Sequence, residues 1–249
     1  AEVDRAEVRD GRAYLVRIVT RQALNRLRSV ARRREEYVGE WLPEPLLTIP
    51  DVADDAVLAE NVSIAMLTVL ETLGPTERAV LVLREVFATP FDEIAAIVGK
   101  NPAAVRQIAH RARDHVAARR PRMSVDRAQH QAAVDTFMAA VATGDVQRLM
   151  EVLAPDVVLI ADGGGVVTAA RRPLVGAEHV ATFLSRLAAL PNLVATAAWL
   201  NGMPGVRFEL DGDATAVSLG VEDGRITRIY SMRNPQKLRW LDRVAELAR

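Results

Sequence analysis

At 249 residues, half of them apolar and 26% charged, the chain has an ordinary globular composition with room for one large domain or two modest ones. The absence of cysteine excludes a disulfide framework and thiolate-bound metals, and no run reaches the roughly 18 apolar residues of a membrane span. The start Ala1-Glu2-Val3-Asp4 has neither the basic nor the apolar part of a signal peptide, so a cytoplasmic protein without a membrane partner is expected. The formal charge of zero conceals segregation. Residues 17–34 hold seven arginines and no acid, 37–99 hold eleven acids against Arg78 and Arg84, and 100–122 hold seven basic residues and only Asp114. Fields act within a Debye length of about 8–10 Å, so the basic segments matter locally for anionic partners.

In chain order, residues 12–36 read as one helix. At about 100° per residue Arg17, Arg21, Arg28 and Arg32 share a narrow sector. Leu15, Val19, Ala23, Leu27 and Val30 lie roughly opposite, as an apolar seam. Such an arginine ridge suits phosphate backbones, or serves as a solvated face. Residues 37–56 form a linker with Pro43, Pro45 and Pro50 and the acids Asp51, Asp54 and Asp55. Its segment Trp41-Leu42-Pro43-Glu44-Pro45 is stiffened by two prolines and carries a large apolar anchor, as a docking segment would. A helical set follows over 57–118, punctuated by Leu73-Gly74-Pro75-Thr76 and Thr89-Pro90. Beyond Pro121, helices over 124–142 and 146–153 lead into apolar runs at 157–160, 194–199, 206–210, 216–221 and 226–231. Asp211-Gly212 and Asp223-Gly224 are hairpin signals. The first half is therefore all-α and the second α+β.

Within the helical set, Phe91, Ile94, Ala95 and Val98 keep the spacing of a short helix that Gly99 ends. Asn101 caps the next helix and Pro102 enters its first turn. Val105, Ile108, Ala109, Ala112 and Val116 share an inward stripe, while Arg106, Gln107, His110 and Arg113 point outward with Ala103 near them. That is a helix-turn-helix whose second helix can enter a major groove. Arg106 and Gln107 suit base edges, and Arg119, Arg120 and Arg122 suit phosphates. An amphipathic hairpin with a solvated face is the plainer alternative.

These residues resemble a known family. Leu73-Gly74-Pro75-Thr76-Glu77-Arg78, Phe91-Asp92-Glu93-Ile94-Ala95, Ala104-Val105-Arg106-Gln107 and Arg111-Ala112-Arg113 look like region 4 of an extracytoplasmic-function (ECF) sigma factor. Arg12-Ala13-Tyr14-Leu15, Leu27-Arg28-Ser29, Arg32-Arg33-Arg34-Glu35 and Tyr37 resemble the last helix of region 2. The Trp41–Pro45 segment, the loop Asp162-Gly163-Gly164-Gly165 and Asn234-Pro235-Gln236-Lys237-Leu238 resemble three signatures of the SigJ-like ECF group, which carries a C-terminal SnoaL-like extension. Val166 and Gln236 depart from the usual Lys and Asp. Most of region 2 would lie before Ala1, which reads as an N-terminal truncation.

The resemblance implies four parts: a region 2 helix over 1–36, the linker over 37–56, region 4 over 57–122, and a cone of the SnoaL and nuclear transport factor 2 type over 123–249. It implies a −35 reader built on Ala103, Arg106, Gln107, His110, Arg111 and Arg113, with core RNA polymerase and promoter DNA as partners. It further implies regulation by the C-terminal domain in place of a separate anti-sigma protein. Asp51, Asp54 and Asp55 are read as partial mimics of nucleic-acid charge. The glycines 163–165 would admit another backbone, so this loop and the 234–238 segment form a seat for the linker. No cofactor and no metal are expected.

Two alternatives belong to other classes: a polyketide cyclase or isomerase fused to a DNA-binding module, and a one-component repressor sensing a ligand. Asp162, Asp156 and His179 are the candidate bases, but a base needs a tuned pocket and an oxyanion donor nearby. Asp162 beside three glycines shows no second polar partner in sequence, and His179 reads as surface, so a non-enzymatic protein is expected. Trp199, Met203, Phe208 and Trp240 read as core or rim packing, and this fold leaves room for a small apolar ligand.

Overall fold

Helix α1 (Gly11–Glu35) opens the computed structural model, which describes residues 11–35, 37–49, 63–119 and 127–245. The expectations for Asp51, Asp54, Asp55, Arg120 and Arg122, and for the side chains of Arg28, Val30 and Arg32, fall outside what is described. The chain divides into two compact units, Ala1–Glu36 with Val69–Arg120 and Tyr37–Thr68 with Pro121–Arg249. No helix among the described residues is long and apolar enough to cross a membrane.

The first unit is helical. It contains α1, the end of α2 (Ile64–Glu71), α3 (Pro75–Glu85), α4 (Phe91–Val98) and α5 (Pro102–Arg119). Gly74 precedes α3, with Pro75 in the first turn and the Glu77 carboxylate accepting from the Gly74 N–H. Its core joins Val80, Leu83, Ile94, Ala95, Val105, Ile108 and Ala109, with Val16 of α1 packed against them. The apolar face expected on α1 is misplaced. Leu15 is 61% and Val19 63% exposed, and Ala23 is also exposed, whereas Thr20 and Leu24 are buried. Val16, Thr20 and Leu24 lie on a line rotated by roughly 80° from the expected seam. An apolar stripe is wide enough that neighbouring helices can take one edge of it, and here the i, i+4, i+8 edge was taken.

The second unit is α+β. Helices α6 (Arg127–Thr143), α7 (Val146–Val152) and α8 (Ala177–Ala188) cover a six-stranded sheet. Its strands are β1 (Leu153–Asp162), β2 (Leu174–Val175), β3 (Val194–Leu200), β4 (Met203–Leu210), β5 (Asp213–Glu222) and β6 (Arg225–Met232), and α9 (Pro235–Leu238) follows. The order is β2-β1-β6-β5-β4-β3, with β1 parallel to β6 and the other pairs antiparallel. Asp211-Gly212 (φ 52° and 90°) and Asp223-Gly224 (φ 50° and 73°) turn the β4–β5 and β5–β6 hairpins with both residues left-handed. Asn201-Gly202 does the same between β3 and β4. The inner face carries the main core around Phe137, Leu149, Leu159, Val206, Phe208 and Ile229. The other face carries a second core of Leu42, Ile64, Leu200, Tyr230, Met232, Leu238 and Leu241. Alternation along each strand builds both: Leu159 and Ala161 of β1 face inward, Ile160 and Asp162 outward.

Candidate functional site

Local signals build the helix pair of the first unit. Gly99 adopts φ 68°, where only glycine is unstrained, and ends α4. Asn101 caps α5 by accepting from the Ala104 N–H at 2.7 Å. Val105, Ile108, Ala109, Ala112 and Val116 form the buried stripe of α5. Ala103, Arg106, Gln107, His110, Arg111 and Arg113 are exposed on its other side. Arg113 also pairs with Glu85 of α3 at 2.8 Å, and His110 with Asp114 at 2.7 Å. Arg119 is exposed and reaches His115. Arg17 and Arg21 are exposed on α1.

In the second unit the linker lies on the outer face of the sheet. Leu42 is 1% exposed, Pro43 and Pro45 are buried, Trp41 is half-buried and Glu44 is exposed. Both polar groups of Leu42 are held: its N–H donates to Asp162 Oδ2 at 2.8 Å, and its carbonyl accepts from Lys237 Nζ at 2.6 Å. Lys237 also pairs with Asp162 at 2.6 Å, with the two side chains 5% and 0% exposed. The other oxygen of Asp162 accepts from Gly164 N–H and from the Tyr37 hydroxyl. Asn234 donates to Tyr37 at 2.7 Å and caps α9 through Gln236 N–H. The Lys237 ammonium sits 3.4 Å from the Trp41 ring centroid and 4.9 Å from that of Tyr37, and the two rings meet edge-on. Burial, then Asp162, pushes the Tyr37 hydroxyl pKa well above its ordinary value. Further along, Leu46 exchanges hydrogen bonds with Asn201, and Leu47 bridges Leu200 and Val244. The Thr48 N–H donates to Trp199 O, and the Thr48 hydroxyl accepts from Gly202 N–H.

The three glycines admit mostly side chains, not the foreign backbone expected of them. A Cβ on Gly163 would meet Val167 O of its own loop at 2.4 Å. On Gly164 (φ 64°) it would meet Asn234 Nδ2 at 2.3 Å and Tyr37 Oη at 3.1 Å, and on Gly165 (φ 71°) Val38 Cβ at 3.0 Å. Leu238 is buried in the outer core and Pro235 is exposed in the first turn of α9. The seat also includes Tyr37, Thr48 and Asn201, which the sequence does not mark for that role. An Asn-Gly pair between two apolar runs is a strong hairpin signal and could have flagged Asn201; nothing local marks Tyr37 or Thr48.

A cavity of about 370 Å³ occupies the inner face of the cone, lined mainly by apolar groups including Phe137, Phe183, Leu187 and Phe208. None of the three candidate bases lines it. Asp162 is engaged in the linker seat, Asp156 is exposed, and the exposed His179 contacts Val175 O. Met203 and Phe208 are buried, Trp199 is half-buried, and Trp240 is 45% exposed between Arg239 and Arg243. Among the described residues no cluster of His, Asp and Glu could hold a metal ion.

A helix-turn-helix with a basic outer face, followed by an α+β cone, defines a DNA-binding protein with a fused accessory domain. Residues 63–116 match the family described as Sigma-70, region 4. Over 246 residues the chain is 36% identical to the ECF RNA polymerase sigma factor SigJ of Mycobacterium tuberculosis, covering 92% of this chain and 79% of that protein. It is 34% identical to a probable ECF RNA polymerase sigma factor, SigI, of the same organism, covering 93% and 80%. The crystal structure of M. tuberculosis SigJ matches with a TM-score of 0.73 at 32% identity, covering 95% of this chain and 85% of that one. The chain therefore belongs to the ECF RNA polymerase sigma factors, with region 4 and a SigJ-like C-terminal extension. Membership implies core RNA polymerase and promoter DNA as partners.

Proposed function

We propose that α5 reads the −35 element of a promoter and that the C-terminal unit regulates sigma activity by holding or releasing the linker. Arg106 and Gln107 are assigned to base edges, with Ala103 and Arg111 beside them. Arg113 and His110 take a second place because Glu85 and Asp114 already hold them. Arg119, with Arg17 and Arg21 on α1, is assigned to phosphates. The regulatory assignment rests above all on the clamp that Asp162 and Lys237 close on the two polar groups of Leu42. A buried ion pair spent on a linker's backbone suits a defined docked state, since such pairs serve specificity better than net stability. This reading assigns Asp162 a structural and regulatory role without a catalytic step, and places the protein with the polymerase in the cytoplasm.

DNA titrations on duplexes with and without a −35 element test the first half. Arg106→Ala should cost roughly 1–3 kcal/mol on the specific duplex alone. Arg119→Ala should weaken both duplexes alike and lower the salt slope by about one. Equal losses for Arg106→Ala on both duplexes would refute base reading. For the second half, Asp162→Asn should change promoter-dependent transcription by reconstituted polymerase while leaving duplex affinity intact; unchanged transcription would remove the regulatory assignment.

A further inference from the structure

The cavity and the linker seat are built on opposite faces of the same two strands. Leu159 and Ala161 of β1 and Ile229 and Ser231 of β6 line the cavity, while Asp162 and Met232 face the linker side. At about 370 Å³ it lies at the lower end of small-molecule sites, which run roughly 300–1,000 Å³. The charged group in its lining is Arg233, whose Nη1 donates to Thr168 O at 2.5 Å. That bond ties down the loop running from Gly163 to Ala170, whose Thr168, Ala169 and Ala170 form part of the cavity wall. The same loop supplies Gly164 N–H to Asp162 and abuts Val38 at Gly165. The backbone N–H groups of Arg233 and Asn234 both donate to Asp162 O. Cavity wall and linker seat thus share a loop and a peptide.

We propose that the cavity binds a small carboxylic acid with an apolar tail, and that its binding loosens the linker seat. The apolar walls take the tail. The Arg233 guanidinium takes the carboxylate, for which its planar fork is better matched than for a single carbonyl. Drawing Arg233 away from Thr168 frees the 163–170 loop and withdraws the support that Gly164 and Gly165 give to Asp162, Tyr37 and Val38. The coupling rests on the reading of the linker as the regulated element; the site itself does not.

The test uses the whole chain with decanoic acid, and with decanol as the uncharged match. Calorimetry reads binding, and Trp41 emission in a Trp199→Phe, Trp240→Phe background reads the seat. Decanoic acid should bind one molecule per chain, about tenfold tighter than decanol. Arg233→Gln should erase that preference, and Leu187→Trp, which fills the cavity, should abolish binding of both. Decanoic acid should also shift Trp41 emission in the direction that Asp162→Asn shifts it without ligand. No binding of the acid, or equal binding of acid and alcohol, overturns the site. Binding with unmoved Trp41 emission, where Asp162→Asn does move it, overturns the coupling. If Asp162→Asn also leaves Trp41 unmoved, the linker reading fails and the coupling with it, while the calorimetry still decides the site.

Discussion

Replacing Asp162 with Ala removes the acceptor of four donors at once: the Tyr37 hydroxyl, the Leu42 and Gly164 N–H groups and the Lys237 ammonium. Asp162 is fully buried and Lys237 is 5% exposed, so water cannot replace the carboxylate while the linker stays down. Stranding a buried charge costs roughly 3–5 kcal/mol, and each stranded neutral donor adds about 1 kcal/mol or more. Lifting the linker as far as Leu46 rehydrates Lys237 and the Leu42 peptide at the cost of exposing Leu42, about 2 kcal/mol, and of parting Leu46 from Asn201, about 1 kcal/mol for each of those hydrogen bonds. Release therefore costs less than staying docked, and the variant should open locally while the cone stays folded. Hydrogen exchange read by mass spectrometry should show the amides of Leu42 and Leu46 exchanging roughly a hundredfold faster, a change of about 3 kcal/mol, with β4, β5 and β6 still protected. Adding Lys237→Met removes the stranded charge and should recover at least about 1 kcal/mol, so the two changes will not add. Unchanged exchange at Leu42, or strict additivity in the double variant, would refute the clamp.

Three further outcomes follow from local geometry. Gly164→Ala places a Cβ 2.3 Å from Asn234 Nδ2 at φ 64°, whereas Gly212 at φ 90° has open space around it. The first substitution should lower the unfolding midpoint by more than Gly212→Ala, which carries backbone strain alone; equal shifts in thermal melts would contradict the close approach. His130 is buried on α6 with its ring against Pro204 O, and burial holds its pKa at about 4 against the ordinary 6.5. The unfolded chain takes up a proton that the folded one refuses, so stability is complete above about pH 6.5 and falls as pH drops toward 4. The loss should reach about 2 kcal/mol between about pH 7.5 and about pH 5, and urea titrations of His130→Gln should show that slope gone. Asn101→Ala removes the cap on α5 and should cost about 1 kcal/mol in melts; no change would mean the cap is redundant.

Region 4 was legible in sequence because its signals are local. The 3.6-residue stripe from Val105 to Val116, the left-handed Gly99 and the Asn101 cap each act within a few residues. The same holds for the Asp-Gly hairpins, whose turn type depends on two adjacent residues. The two-residue strand β2 has no readable period, and the buried edge of α1 is not legible in sequence because which edge packs depends on the neighbouring helices. The tertiary structure also decided that Arg113, one of several outward arginines in sequence, faces Glu85 across 28 positions.

By itself, then, the sequence determined the all-α and α+β halves, the orientation of the α5 face, and the set of segments that resemble the family's signatures. Only the tertiary structure decided what those segments do to one another. Asp162 looked like a carboxylate without partners because its partners stand 125, 120 and 75 positions away, at Tyr37, Leu42 and Lys237. Burying a charge is tolerable only where another charge and several donors converge on it, and such convergence is a property of the folded sheet.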